Sequence, residues 1–164
     1  MPDSPKCILA CTDPTDQTSA VPLAALNQAR VTGARVIFYD VTHDGRMTDS
    51  RPNFWAGEGQ AELYDRPLDP VAIEKLGFDA LALQVQHARD EGIDAFGWLP
   101  NEPGGKGLAD YALREHADLV LLAAGTEQTA RYADELRAAQ ADGVLAGTDT
   151  IRLVDADATM VPFH

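Results

Sequence analysis

Five short apolar runs divide this chain, and their spacing constrains its fold more than any other feature. They read KCILACT (6–12), ARVIFYDV (34–41), IDAFGWL (93–99), DLVLLAA (118–124) and TIRLV (150–154). Four are too short for ordinary helices and rich in apolar or β-branched residues, the pattern of buried strands. The last alternates Ile151 and Leu153 with Arg152, so a more exposed edge strand is expected there.

Helical signals fill the intervals. Ser19 is the expected N-cap of a helix over about 19–32, with Pro22 in its first turn and Gly33 just past its end. Asp69-Pro70 reads as the cap and first turn of a short helix, which Gly77 separates from the next. In that next helix Phe78, Leu81, Val85 and Ala88 recur at three- and four-residue spacing, an apolar stripe suited to packing on a sheet. A third helical region, about 107–116, carries Leu108, Tyr111 and Ala112; a fourth, about 127–141, carries Tyr132 and Leu136.

Strands that alternate with helices imply a parallel sheet covered on both faces. Right-handed crossovers then give a doubly wound, three-layer α/β sandwich. The 164 residues fit a single domain over 1–164, without internal repeats. One connection, 42–68, is a long loop insertion rich in Gly, Pro and charge, yet it holds Phe54, Trp55 and Tyr64. Such a loop is a lid, an interface element or a packed Ω-loop.

Charge and cysteine usage narrow the function. Lys and Arg number 13 against 26 Asp and Glu, a net charge of −13. That surface repels phosphate backbones, so no nucleic acid partner is expected. No apolar stretch approaches the roughly 20 residues needed to span a bilayer. The start, MPDSPKCILACTD, lacks a signal-peptide pattern. A cytoplasmic protein without a membrane partner is expected. Cys7 and Cys11 share one strand, with Cα atoms roughly 13 Å apart by strand rise, too far for a disulfide. They read as small core residues.

Several chemistries lack their motifs. The histidines at 43, 87, 116 and 164 show no HExxH spacing and no cysteine partner for a metal. There is no G-x-S-x-G elbow. Thr12-Asp13-Pro14-Thr15 stands where a dinucleotide-binding chain would have G-x-G-x-x-G. Gly105-Lys106 suggests a phosphate loop, but Pro100 takes the place of its first glycine and Gly107 that of its Ser/Thr. Asp13 has two readings. At the carboxyl end of the first strand it can accept a hydrogen bond from a ligand amine, or it can form the Asx-turn that ends the strand.

The ordered set of segments resembles the universal stress protein family. The resemblance is carried by Asp90-Glu91-Gly92, Asn101-Glu102-Pro103 and the run from Ala112 through Glu115-His116-Ala117-Asp118-Leu119-Val120 into Gly125, and it spans nearly the whole chain. It implies a five-stranded parallel sheet in the order 3-2-1-4-5, the architecture shared with the adenine nucleotide alpha hydrolase-like proteins. Thr12-Asp13 and Gly125-Thr126 would then converge on one crevice. In family members that bind ATP, an Asp after strand one and a Val ending strand two hold the adenosine. The resemblance gives those roles to Asp13 and Val41, and the nucleotide-binding set becomes Thr12, Asp13, Val41, Gly125 and Thr126.

The family's phosphate loop has the form G-x2-G-x9-G-[S/T]. Gly125 matches its first glycine, but Gln128 stands at the second and Ala138-Ala139 at the last pair. Gln does not take a positive φ cheaply, and Ala139 has no hydroxyl to offer a phosphate. Glu127, Asp134 and Glu135 add negative charge in the same stretch. The sequence 125–139 therefore reads as a helix start, with Thr126 as its N-cap.

The expected function is that of a stress-response regulatory protein without catalytic residues, since the HxGH motif of related nucleotidyltransferases is absent and no acid–base pair stands out. It would act through an unidentified regulatory protein partner and a homodimer. The resemblance places that dimer contact on the strand Thr150 to Val154, read as an unpaired edge. No cofactor is required. The alternative is an adenine-nucleotide sensor that holds ATP or AMP with Mg.

Overall fold

The computed structural model describes residues 6–12, 20–40, 67–99, 108, 111–112, 115, 117–123, 136–138, 151–155 and 159–162. Its elements are β1 (Cys7–Thr12), α1 (Val21–Thr32), β2 (Arg35–Asp40), α2 (Pro70–Lys75), α3 (Asp79–Asp90), β3 (Ala95–Trp98), β4 (Leu119–Ala123), β5 (Ile151–Val154) and β6 (Met160–Pro162). Every apolar run became a strand. They form one sheet in the order β3-β2-β1-β4-β5-β6. The first five strands in that order are parallel, as expected of a doubly wound α/β sheet.

Strand alternation sorts the core into two clusters. Ile8, Ala10, Val36 and Phe38 face α1, α2 and α3, where Ala25, Ile73, Leu81 and Val85 meet them. Leu9, Cys11, Ile37 and Tyr39 point to the opposite face, onto Leu108, Tyr111, Ala112 and Leu136. Helical residues thus cover both faces of the sheet, which makes three layers. Each fully buried Ile or Leu here contributes about 1.5–3 kcal/mol by leaving water.

Helix boundaries largely follow the local chemistry. Asp69 caps α2, its Oδ1 accepting from the Ala72 N–H at 2.9 Å. Gly77 lies between α2 and α3 at φ 92°, a conformation that costs glycine little. The expected Ser19 cap is replaced: Ala20 holds the N-cap position of α1 and makes no side-chain bond there. Gly33 closes that helix, its N–H donating to the Ala29 carbonyl at 2.8 Å.

The amino edge of the sheet is tied by charge. Asp118 Oδ2 accepts from the Lys6 N–H at 2.7 Å and the Cys7 N–H at 3.1 Å. Arg35 donates to both the carbonyl and the carboxylate of Glu115. These bonds join β1, β2 and the segment before β4 on the side away from the crevice.

Two features correct the expected edges. β5 does not present an unpaired edge, because β6 lies antiparallel against it through Arg152↔Pro162, Leu153↔Val161 and Val154↔Met160. At the other end of the sheet, β3 is closed by Leu68, which exchanges two backbone bonds with Gly97, each 2.9 Å. Arg89 seals the same edge, its Nε donating to the Ala95 carbonyl at 2.7 Å while its guanidinium lies 5.1 Å over the Phe96 ring. Leu68 is the buried end of the long connection; Phe54, Trp55 and Tyr64 lie outside the described residues.

Candidate functional site at the carboxyl edge

The strand order puts a switch point between β1 and β4. Strands β2 and β3 lie on one side of it and β5 on the other, so the connections leaving β1 and β4 run in opposite directions. Ligands of open α/β sheets bind in the crevice that this divergence opens at the carboxyl ends. The pairing shows where it opens. The last rung between β1 and β4 is Ala10↔Leu121, yet β1 continues to Thr12 and β4 to Ala123. On its other side β1 stays paired to its end, Thr12 opposite Asp40.

Thr12 is therefore the last residue of the central strand at the mouth of the crevice. It is 2% exposed, and it is the one polar side chain among the described residues in the buried set. Its Oγ1 has no hydrogen-bond partner among the described residues. A buried hydroxyl left without any partner costs about 1–3 kcal/mol, so this group calls for one from beyond the described residues.

Of the nucleotide-binding set, Thr12 alone is among the described residues. Asp13, Val41, Gly125 and Thr126 lie outside them. The strand residues that precede them, Thr12, Asp40 and Ala123, end three neighbouring strands on this same edge. The sequence drew attention to Asp13 and treated Thr12 as its neighbour; the alternation of Ile8, Ala10 and Thr12 was the signal that Thr12 points into the core.

The second core cluster holds an aromatic wall. Trp98, at the end of β3, lies against Tyr39 of β2 with ring centroids 4.6 Å apart. All three rings of Tyr39, Trp98 and Tyr111 are fully buried and fill the second core cluster. Cys11 sits in that cluster as well, where burial holds its thiol far above the usual range and leaves it unreactive. No group of three or more His, Cys, Asp or Glu among the described residues is placed to hold a metal ion.

Of the stretch 125–139, only 136–138 are among the described residues. Residues 136–138 are helical; Leu136 is fully buried, whereas Arg137 and Ala138 are exposed. Ala138 stands where the phosphate-loop pattern requires a glycine. Its backbone is helical, and Leu136 two residues earlier is buried in the core cluster that holds Leu108 and Tyr111.

A solved structure of a universal stress protein from Archaeoglobus fulgidus matches this architecture over 90% of this chain and 92% of that chain, with a TM-score of 0.51. This is the universal stress protein fold. At 11% sequence identity the likeness is one of architecture alone. A second structure from the same organism, in complex with dAMP, covers 90% of this chain and 95% of its own at 12% identity, with a TM-score of 0.48. A universal stress protein in complex with cAMP covers 93% and 98% at 14% identity, with a TM-score of 0.46. No known family pattern matches the sequence, and no curated protein does. Against the five-stranded fold expected from the sequence, β6 is an addition at the β5 edge. No helix among the described residues is long and apolar enough to cross a membrane.

Proposed function

We propose that this chain is a non-enzymatic regulatory protein of the universal stress type that works through contacts with other proteins and does not hold ATP on a glycine loop. The observation that carries this reading is the helix at 136–138, anchored by the buried Leu136 where a phosphate loop would end. A glycine loop binds phosphate by turning free N–H groups toward it. Gln128, Ala138 and Ala139 replace the residues that would form such a loop, and Glu127, Asp134 and Glu135 oppose phosphate by charge.

A second reading rests on Thr12. Its buried hydroxyl at the switch point, without a partner among the described residues, favours a small polar ligand in the crevice, of which adenosine or AMP is the one the fold suggests. On that reading the chain senses an adenine nucleotide by its nucleoside half, with little gain from further phosphates and no need of Mg.

Thermal melts with and without ATP–Mg, ADP and AMP separate the two. A ligand present at 100 times its Kd stabilises the native state by about 2.7 kcal/mol. In a domain of this size that raises Tm by roughly 5–11 °C. The first reading expects no shift with any of them. The second expects equal shifts with AMP and ATP. A shift with ATP far above that with AMP contradicts both.

A further inference from the structure

The connection between β5 and β6 is closed at its base by Asp155. Its N–H donates to the Thr159 carbonyl at 3.1 Å, and its Oδ1 accepts from the Thr159 N–H at 3.0 Å. In an antiparallel ladder, hydrogen-bonded and non-bonded pairs alternate. With Asp155 and Thr159 as a bonded pair, Leu153 and Val161 form the next, and Val154–Met160 and Arg152–Pro162 are non-bonded. The backbone groups of Met160 and Pro162 therefore point away from the sheet. Pro162 has no N–H, so the outer edge of β6 offers one donor, that of Met160.

That arrangement finishes the sheet within the chain at both ends. β3 is covered by Leu68 and Arg89, and β5 by a strand whose own outer edge is poor in donors. Without β6, the outward N–H and carbonyl of Leu153 would stand open. An open strand of this kind pairs readily with its own copy across a two-fold axis, because the same edge serves both partners.

We propose that β6 is a built-in edge cap: it occupies in cis the place that a second copy of this chain would take beside β5, and Pro162 stops strand addition at its outer side. The chain is then monomeric at this edge, and detaching β6 opens β5 to antiparallel pairing with a second copy. This goes beyond the regulatory reading above and holds whether or not the crevice takes a ligand.

Sedimentation velocity on the full chain over a wide micromolar range tests it. The wild type is expected to sediment as one chain at every concentration. Val161→Pro removes the N–H that donates into β5 and is expected to dimerise as concentration rises. Pro162→Val leaves the β5–β6 ladder intact and restores a donor on the outer edge; it is expected to self-associate too, and it reads the proposal even where Val161→Pro fails to fold. A wild type that dimerises, or a folded Val161→Pro or Pro162→Val that stays monomeric, overturns the proposal.

Discussion

Trp98 and Tyr111 lie face to face, their ring centroids 4.0 Å apart and their planes within 6° of parallel. The stack joins β3 to the helical residues on the second face of the sheet, and Tyr39 extends it to β2. Truncating Trp98 to Ala removes the largest fully buried side chain among the described residues. The expected loss is about 3–5 kcal/mol, read from the urea midpoint. Trp98→Phe keeps a ring against Tyr111 and is expected to lose less. A Trp98→Ala loss below about 1 kcal/mol would mean that the wall is not a structural anchor.

Thr12 makes the opposite prediction. Thr12→Val replaces a buried hydroxyl that has no partner among the described residues with a methyl group of similar size, so the ligand-free protein is expected to gain up to about 1–3 kcal/mol. Any nucleotide-induced rise in Tm is expected to shrink in the same variant. A Thr12→Val protein less stable than wild type would show that the hydroxyl already has a partner.

Gly97 is held to glycine by contact. A Cβ there would lie 2.5 Å from Ile73 Cδ1 and 3.3 Å from Leu81 Cδ2. Gly97→Ala is expected to cost about 1–3 kcal/mol through overpacking. Ile73→Val removes the nearest atom, so the double variant is expected to be less destabilised than the two single changes added together. Strict additivity in that cycle contradicts the contact.

The two cysteines set an alkaline limit. Burial pushes the Cys7 thiol up to about 11 from its ordinary 9.0, with Arg35 opposing the shift and Glu115 and Asp118 adding to it. In the unfolded chain the thiol ionises near 9.0, while the folded chain keeps its proton to about 11. Above pH 9 the unfolded state binds fewer protons, so folding stability falls with rising pH across that window. Cys11 shifts in the same direction. Denaturant midpoints are expected to hold steady below pH 9 and decline toward pH 11, and a Cys7→Ala, Cys11→Ala double variant is expected to flatten the decline.

The fold was legible because its strands are short, apolar and separated by helices with turn or cap signals at their ends, such as Gly33, Asp69 and Gly77, and each of these signals acts locally. Asp69-Pro70 announced α2, and the Phe78, Leu81, Val85, Ala88 stripe announced α3 because burial of that stripe forms the helix. The sheet edges were not legible. Met160-Val161-Pro162 is too short to read as a strand, and its proline argues against one until the outward-facing position is known. The five residues Asp155 to Thr159 between two apolar runs were the available hairpin signal. Leu68 closes β3 through backbone bonds and Arg89 through a side-chain bond to a β3 carbonyl, and neither leaves a pattern in sequence. At the site, Thr12 was visible as the end of a buried strand, but whether its hydroxyl finds a partner is set by tertiary neighbours that carry no local sequence pattern.

The most direct test of the account is a calorimetric titration of the full chain with ATP–Mg beside one with AMP. ATP–Mg is expected to bind no more tightly than AMP, since Gln128, Ala138 and Ala139 stand where the phosphate-loop pattern has glycines and a Ser/Thr. Binding of ATP–Mg tenfold or more tighter than AMP, a difference of about 1.4 kcal/mol, would contradict it and restore a phosphate site to 125–139.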